Sequence, residues 1–302
     1  MTARPTGFAA AFAAASQRPN VQRVLALGAI VGLLMGLETL VLHLAIDPLV
    51  DVHAYYDAGA RLNAGQPLYL QSVGTNDAAF YRYPPLLAIA FRPLALLPFA
   101  AAAAVWEAVL VGLFVLTIVR LGPRRRWTWL ALGMLALPTG WSLAIGQAQV
   151  AVTLLMALGA PWALALATNL KLFPALVAIW WIGRRDVRSF GWFAVWMAGL
   201  GLLQVVLEPA GSLAFPGVLG LDQVGAVANV SPYAFSPILW VVLLIVGSAA
   251  AWRLAPTRWG WAAAIALSVL ATPRLLVYQL SSLVAAVRDP NDPDGRPSEL
   301  RR

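Results

Sequence analysis

At 302 residues, 61% hydrophobic and 11% charged, the chain lacks the charged residues that a water-facing surface requires, since soluble domains carry about 25%. Its net charge of +8 comes in short arginine clusters between apolar runs, with no basic face able to track a nucleic-acid backbone, so the expected partner is membrane lipid and not nucleic acid. With no cysteine and only His43 and His53, disulfides and thiolate chemistry are excluded, and a histidine-rich metal site is not expected.

Inside a bilayer only helices and closed barrels pair all their backbone groups. The apolar runs here are long and unbroken, not alternating as in barrel strands, which selects helices. The expected fold class is all-α, a polytopic transmembrane bundle of about 8–10 membrane segments, some of them short or re-entrant. The expected organisation is a cytoplasmic tail (1–20), a membrane domain (21–287) and a disordered cytoplasmic tail (288–302) rich in Pro, Asp and Arg. The start of the chain carries no cleavable-signal pattern, and the long apolar run after it reads as a retained span. The expected location is the plasma membrane.

The first span is expected at 21–46. Arg18 and Arg23 flank its start and place that end in the cytoplasm. Residues 47–83 then form a polar extracytoplasmic loop holding Asp47, Asp51, His53, Asp57, Arg61, Asp77 and Arg82 among five tyrosines. Within it 51–64 reads as a surface helix, and its i, i+4 spacing stacks Asp51, Tyr55 and Ala58–Gly59 on one face. A carboxylate there, partly buried beside a cavity, suits a general base; the competing reading is a helix cap or a solvated loop acid.

Phe80-Tyr81-Arg82-Tyr83-Pro84-Pro85 follows, an aromatic interfacial anchor whose proline pair starts the next helix. A short or re-entrant piece is expected before a full span at 99–119. Arg120 and Arg124–Arg126 mark a cytoplasmic loop, and a further span is expected at 127–145. Gly146-Gln147-Ala148-Gln149 ends it; the two glutamines either bind a sugar or terminate a helix. Three crossings between Arg126 and Arg184 would put Arg184 outside, so at least one segment of 147–182 is expected to be re-entrant or broken. Lys171, the only charge in that stretch, marks a functional site or a snorkelling end. Spans are expected at 189–207 and 237–252, and the last apolar region is broken at Thr272-Pro273-Arg274. Glu38 is a lone acid in the first span, and Glu107 is expected to pair with a basic residue.

The order Asp51-Val52-His53-Ala54-Tyr55, Tyr83-Pro84-Pro85-Leu86, Gly146-Gln147, Lys171-Leu172-Phe173-Pro174 and Thr272-Pro273-Arg274 resembles glycosyltransferase family eighty-seven. That family comprises polyprenol-phosphate-mannose-dependent mannosyltransferases and relatives, and the likeness covers about residues 21–287. The resemblance implies a GT-C architecture and transfer of a sugar from a polyprenyl-phosphate donor to a lipid or glycan acceptor, without a cofactor or an obligatory metal. It also makes Asp51 the base from the first loop. His53, Tyr55, Arg82, Tyr83, Gln147, Lys171 and Arg274 are the candidate substrate-binding residues; charge alone suggests Lys171 and Arg274 for the donor phosphate. The alternatives are a transporter or flippase of a lipid-linked sugar, for which no internal repeat speaks, and an inactive scaffold of the same fold.

Overall fold

Prolines mark where several helices of this chain begin. Pro19, Pro85, Pro161, Pro232 and Pro237 each occupy a first helical position, where a missing N–H costs nothing. The computed structural model describes residues 18–70, 80–218 and 229–289. Asp77 and almost all of the two expected tails lie outside the described residues.

In chain order the elements are α1 (Pro19–Ile46), α2 (Val50–Asn63), α3 (Pro85–Phe91), a 3₁₀ turn at Leu94–Leu96, α4 (Phe99–Leu121), α5 (Arg126–Met134), α6 (Ala136–Ala144), α7 (Gln149–Leu158) and α8 (Pro161–Leu170). A 3₁₀ segment (Phe173–Ala178) runs into α9 (Ile179–Gly183). Then follow α10 (Val187–Leu207), α11 (Pro209–Val218), α12 (Pro232–Phe235), α13 (Pro237–Leu254), α14 (Gly260–Leu270) and a 3₁₀ run over Val277–Val287. The fold is an all-α bundle. Among the described residues four helices, α1, α4, α10 and α13, are long and apolar enough to cross a membrane, and four shorter apolar helical stretches accompany them.

Long and short elements divide the work. The long helices present most of their apolar side chains outward, as lipid solvation allows; Gly36 is the one buried residue of α1. The short ones make the core: α7 buries eight of its ten residues and α8 seven of its ten. Breaks separate them where the sequence signals them. Gly159 ends α7 with φ 58°, Lys171 ends α8 in extended backbone, and the last apolar region breaks between Leu270 and Val277. The span expected at 127–145 is two helices meeting at Leu135.

Lipid gives apolar helices no hydrophobic drive to associate, so small residues that permit close approach do the packing. On α1, Gly36 meets α6 closely enough that a Cβ there would lie 2.5 Å from the Ala136 carbonyl carbon. Glu38, two residues on, is exposed on the outer face and makes no hydrogen bond or ion pair among the described residues.

The bundle is also polar end to end. At one end α1 finishes beside Asp47, the start of α4 stacks under His53, Gln204 near the end of α10 bonds Leu86, and Trp240 in the first turn of α13 bonds Ala271. Each of these helices therefore carries its arginines, among Arg18, Arg23, Arg120, Arg184, Arg188 and Arg253, at the opposite end.

Candidate active site

Asp51 stands in the first turn of α2. The turn before it bends sharply, with Leu49 in left-handed conformation at φ 59°. Two backbone bonds lace this bend to the end of α6: Leu49 N–H donates to Ala144 O and Asp51 N–H to Ile145 O, each at 3.1 Å. Gly146 comes next, at φ 69°, and a Cβ there would collide with Val52 and lie 2.7 Å from Glu107 Oε1. Only glycine fits both the conformation and the space. The turn it makes delivers Gln147.

Gln147 is fully buried. Its Nε2 donates to Asp51 Oδ2 at 2.9 Å, and its Oε1 accepts from Tyr55 OH at 2.6 Å and Tyr83 OH at 3.0 Å. Tyr55 OH in turn accepts from Ala148 N–H at 3.3 Å. Burial raises both phenols above their ordinary range, so they stay protonated and remain donors. With two phenols filling its carbonyl, the Gln147 amide is oriented one way, NH₂ toward the carboxylate. Gln147, just past the end of α6, also holds Asp51, a task that neither sequence reading of the glutamine included.

No side chain caps α2, and Asp51 is not a cap. Burial pushes its carboxyl above the ordinary carboxylate range, against the pull of Lys171, of Arg82 and of the Gln147 hydrogen bond. Desolvation wins over two cations. That makes the group a proton acceptor at neutral pH of a strength suited to general-base work.

Three cations converge on the same region. Lys171 does not snorkel: its Nζ donates to Gln149 Oε1 at 2.7 Å and lies over the rings of Tyr83, at 5.3 Å, and Tyr278, at 5.1 Å. Gln149 is fixed from behind, donating to Ser282 Oγ at 2.6 Å. Arg82 donates Nη1 to Phe80 O at 3.0 Å and stacks over the Phe80 ring. Burial, and then the repulsion of Arg274, holds Arg82 down to about 10. Two guanidiniums near enough to repel, with an ammonium on the same carboxylate, make an anion-seeking site.

Of the expected site residues, Asp51, Tyr55, Arg82, Tyr83, Gln147, Lys171 and Arg274 come together. His53 does not. It is exposed on α2, stacked on Phe99 at 3.7 Å, because it lies two residues from Asp51 and so on the other side of the helix. Among the described residues Glu107 pairs with no basic residue either; its buried Oε1 has no hydrogen-bond partner there. Tyr278 was missed as a site residue, and Gln149, singled out with Gln147 as binding a sugar or ending a helix, proves to hold Lys171. Among the described residues no three His, Asp or Glu side chains form a group able to hold a metal.

Glycosyltransferase family 87 matches residues 80–278. The chain belongs to this family. The matched region holds Arg82, Tyr83, Gln147, Lys171, Arg274 and Tyr278; Asp51 and Tyr55 lie before it and reach family 87 residues through Gln147. Over 201 residues the chain is 28% identical to a Mycolicibacterium smegmatis protein, covering 60% of this chain and 49% of that one. That relative is named polyprenol-phosphate-mannose-dependent alpha-(1-2)-phosphatidylinositol pentamannoside mannosyltransferase. A Mycobacterium tuberculosis protein of the same name is 26% identical over 208 residues, covering 60% of this chain and 47% of its own. The chain thus spans about half the length of these relatives. No solved structure matches it.

Proposed function

We propose that this protein is a membrane mannosyltransferase that takes mannose from a polyprenyl-phosphate donor and gives it to a hydroxyl of a lipid or glycan acceptor. One observation carries the reading: a carboxylate held by Gln147, with Lys171, Arg82 and Arg274 close enough to act on it or on one another. Family membership and the named activity of two relatives support it.

The chemistry assigns each group a task. Asp51 accepts the proton of the acceptor hydroxyl as its oxygen attacks the anomeric carbon. The bond from that carbon to the phosphate oxygen breaks on the opposite face, so the configuration inverts and polyprenyl phosphate leaves with the electron pair. Lys171 and Arg274, joined by Arg82, meet the charge that grows on the phosphate, the class of electrostatic stabilisation that contributes most to such transfers. The reading needs no resident cofactor. It places the site on the extracytoplasmic side, with both ends of the chain in the cytoplasm.

The test is transfer by purified protein from polyprenyl-phosphate-mannose to a lipid acceptor, wild type beside Asp51→Asn. Loss of a general base is expected to lower kcat by about 10²–10⁴. Equal rates in the two proteins would remove Asp51 from the mechanism. Absence of transfer together with donor movement across the vesicle membrane would replace the reading with transport.

A further inference from the structure

Arg274 sits where helix has been abandoned. α14 ends at Leu270, Pro273 offers no N–H, and regular 3₁₀ structure resumes only at Val277. The peptide groups on either side of Arg274 therefore lack the internal partners a helix would supply. They find them in one short piece of chain just before α12. Asn229 Nδ2 donates to Pro273 O at 3.0 Å, and Asn229 Oδ1 accepts from Leu275 N–H at 3.0 Å. One side chain thus grips the backbone immediately before and immediately after Arg274.

The neighbours reinforce it. Ser231 Oγ donates to the same Pro273 carbonyl at 2.6 Å, and Val230 N–H donates to Leu275 O at 2.8 Å. Ser231 N–H donates to Asn229 Oδ1 at 3.0 Å, which fixes the amide against rotation. Asn229 and Leu276 form an isolated antiparallel bridge. Strand-like pairing has replaced helix on both sides of Arg274.

We propose that Asn229 is a positioning residue that sets the Arg274 guanidinium against Arg82 and the reacting phosphate. It touches no substrate; it acts through the Arg274 backbone. The clamp suits the task because a bidentate guanidinium tolerates little displacement. Asparagine is specifically required, since the grip needs a donor for Pro273 O and an acceptor for Leu275 N–H on one short side chain. The inference rests on the proposed donor chemistry, but its central step, phosphate binding by a positioned arginine, is measurable without turnover.

The experiment is a double-mutant cycle on binding of undecaprenyl phosphate to the purified full chain in detergent. Wild type, Asn229→Ala, Arg274→Gln and the double variant are compared, with donor KM and kcat measured in parallel. Asn229→Ala is expected to weaken binding about tenfold in the wild-type background and less than about twofold when Arg274 is already gone, because only coupled residues depart from additivity. Donor KM should rise by a similar factor, and Asn229→Asp, which keeps the acceptor and loses the donor, should recover part of it. Should Asn229→Ala fail to fold, Ser231→Ala removes one of two donors to Pro273 O and is expected to give a smaller loss with the same dependence on Arg274. Equal losses in both backgrounds, or an unchanged affinity, overturn the proposal. Coupled binding without any mannosyl transfer overturns the proposed reaction and leaves the positioning role standing.

Discussion

An aspartate whose carboxyl is raised by burial loses its proton less readily in the folded protein than in the unfolded chain. The sign of the pH dependence follows. As a base, Asp51 works only when deprotonated, so activity should fall as pH drops through its raised value, higher than an ordinary carboxylate would give. Folding shows the opposite trend: the charged carboxylate is the disfavoured form, so the stability contributed at this site falls as pH rises through the same value. Asp51→Asn is therefore expected to remove activity while leaving Tm unchanged or slightly higher, and a thermal melt beside the transfer assay checks both. A fall in Tm of several degrees would mean the carboxylate is structural. Gln147→Leu is the companion variant. It deletes the donor to Asp51 and the acceptor shared by two phenols, leaving Tyr55 OH to donate to Tyr83 OH at 3.2 Å and Tyr83 OH without its acceptor, an unsatisfied buried group costing about 1–3 kcal/mol. The acid limb of the rate profile should move to higher pH, since the hydrogen bond favours the charged form, and an unmoved limb would show that Gln147 does not act on Asp51. Asp51 and Lys171 were legible in the sequence because a charge near apolar runs stands out. The job of Gln147 was not, because which of its two ends faces a carboxylate depends on Tyr55 and Tyr83, 92 and 64 residues away.

Elements were legible where lipid dictates them. The helices expected at 21–46, 99–119, 189–207 and 237–252 appear with ends shifted by at most a few residues, since a bilayer demands length and apolarity, and both are visible in composition. The broken stretch between Gly146 and Arg184 was expected from its prolines and from arginine placement, but not how its pieces are tied together. Gln204 does much of the tying. It lies in α10, an otherwise lipid-facing span, and is buried. Its Oε1 accepts from Leu86 N–H at 3.0 Å, a donor that α3 leaves open beside Pro84 and Pro85, and its Nε2 donates to Asn169 Oδ1 at 2.6 Å, two residues before Lys171. A lone glutamine in an apolar span was the available signal. Gln204→Leu should destabilise the protein by about 1–3 kcal/mol for each buried polar group it strands. Thermal unfolding in detergent reads this directly; an unchanged Tm would show that the two ends are held by packing alone. Gly146→Ala is the harsher change, because the added methyl group meets Val52 and the left-handed backbone is strained for alanine. It should cost activity even in the fraction that folds, through displacement of Gln147.

At the scale of the whole molecule, the arrangement of charge is informative in a way no single span is. Every long helix carries its arginine-bearing end away from Asp51, so four independent hydrophobic segments agree on one direction. Arginines are retained on the cytoplasmic side, where they also meet anionic lipid, and the agreement predicts that the Asp51 cluster faces the extracytoplasmic side. A 23-residue helix such as α4 is about 34 Å long at 1.5 Å per residue, enough to cross the roughly 30 Å hydrocarbon core and separate the two ends completely. The absence of cysteine makes the orientation simple to measure. Gln66→Cys, exposed just after α2, should react with a membrane-impermeant maleimide in intact cells. Arg185→Cys, exposed between α9 and α10, should react only after the membrane is opened. The reverse pattern would put the carboxylate on the cytoplasmic side, and the proposed extracytoplasmic transfer would have to be abandoned together with the orientation. Labelling at both positions in intact cells would put Gln66 and Arg185 on one side, which the shared direction of the arginine-bearing helix ends argues against.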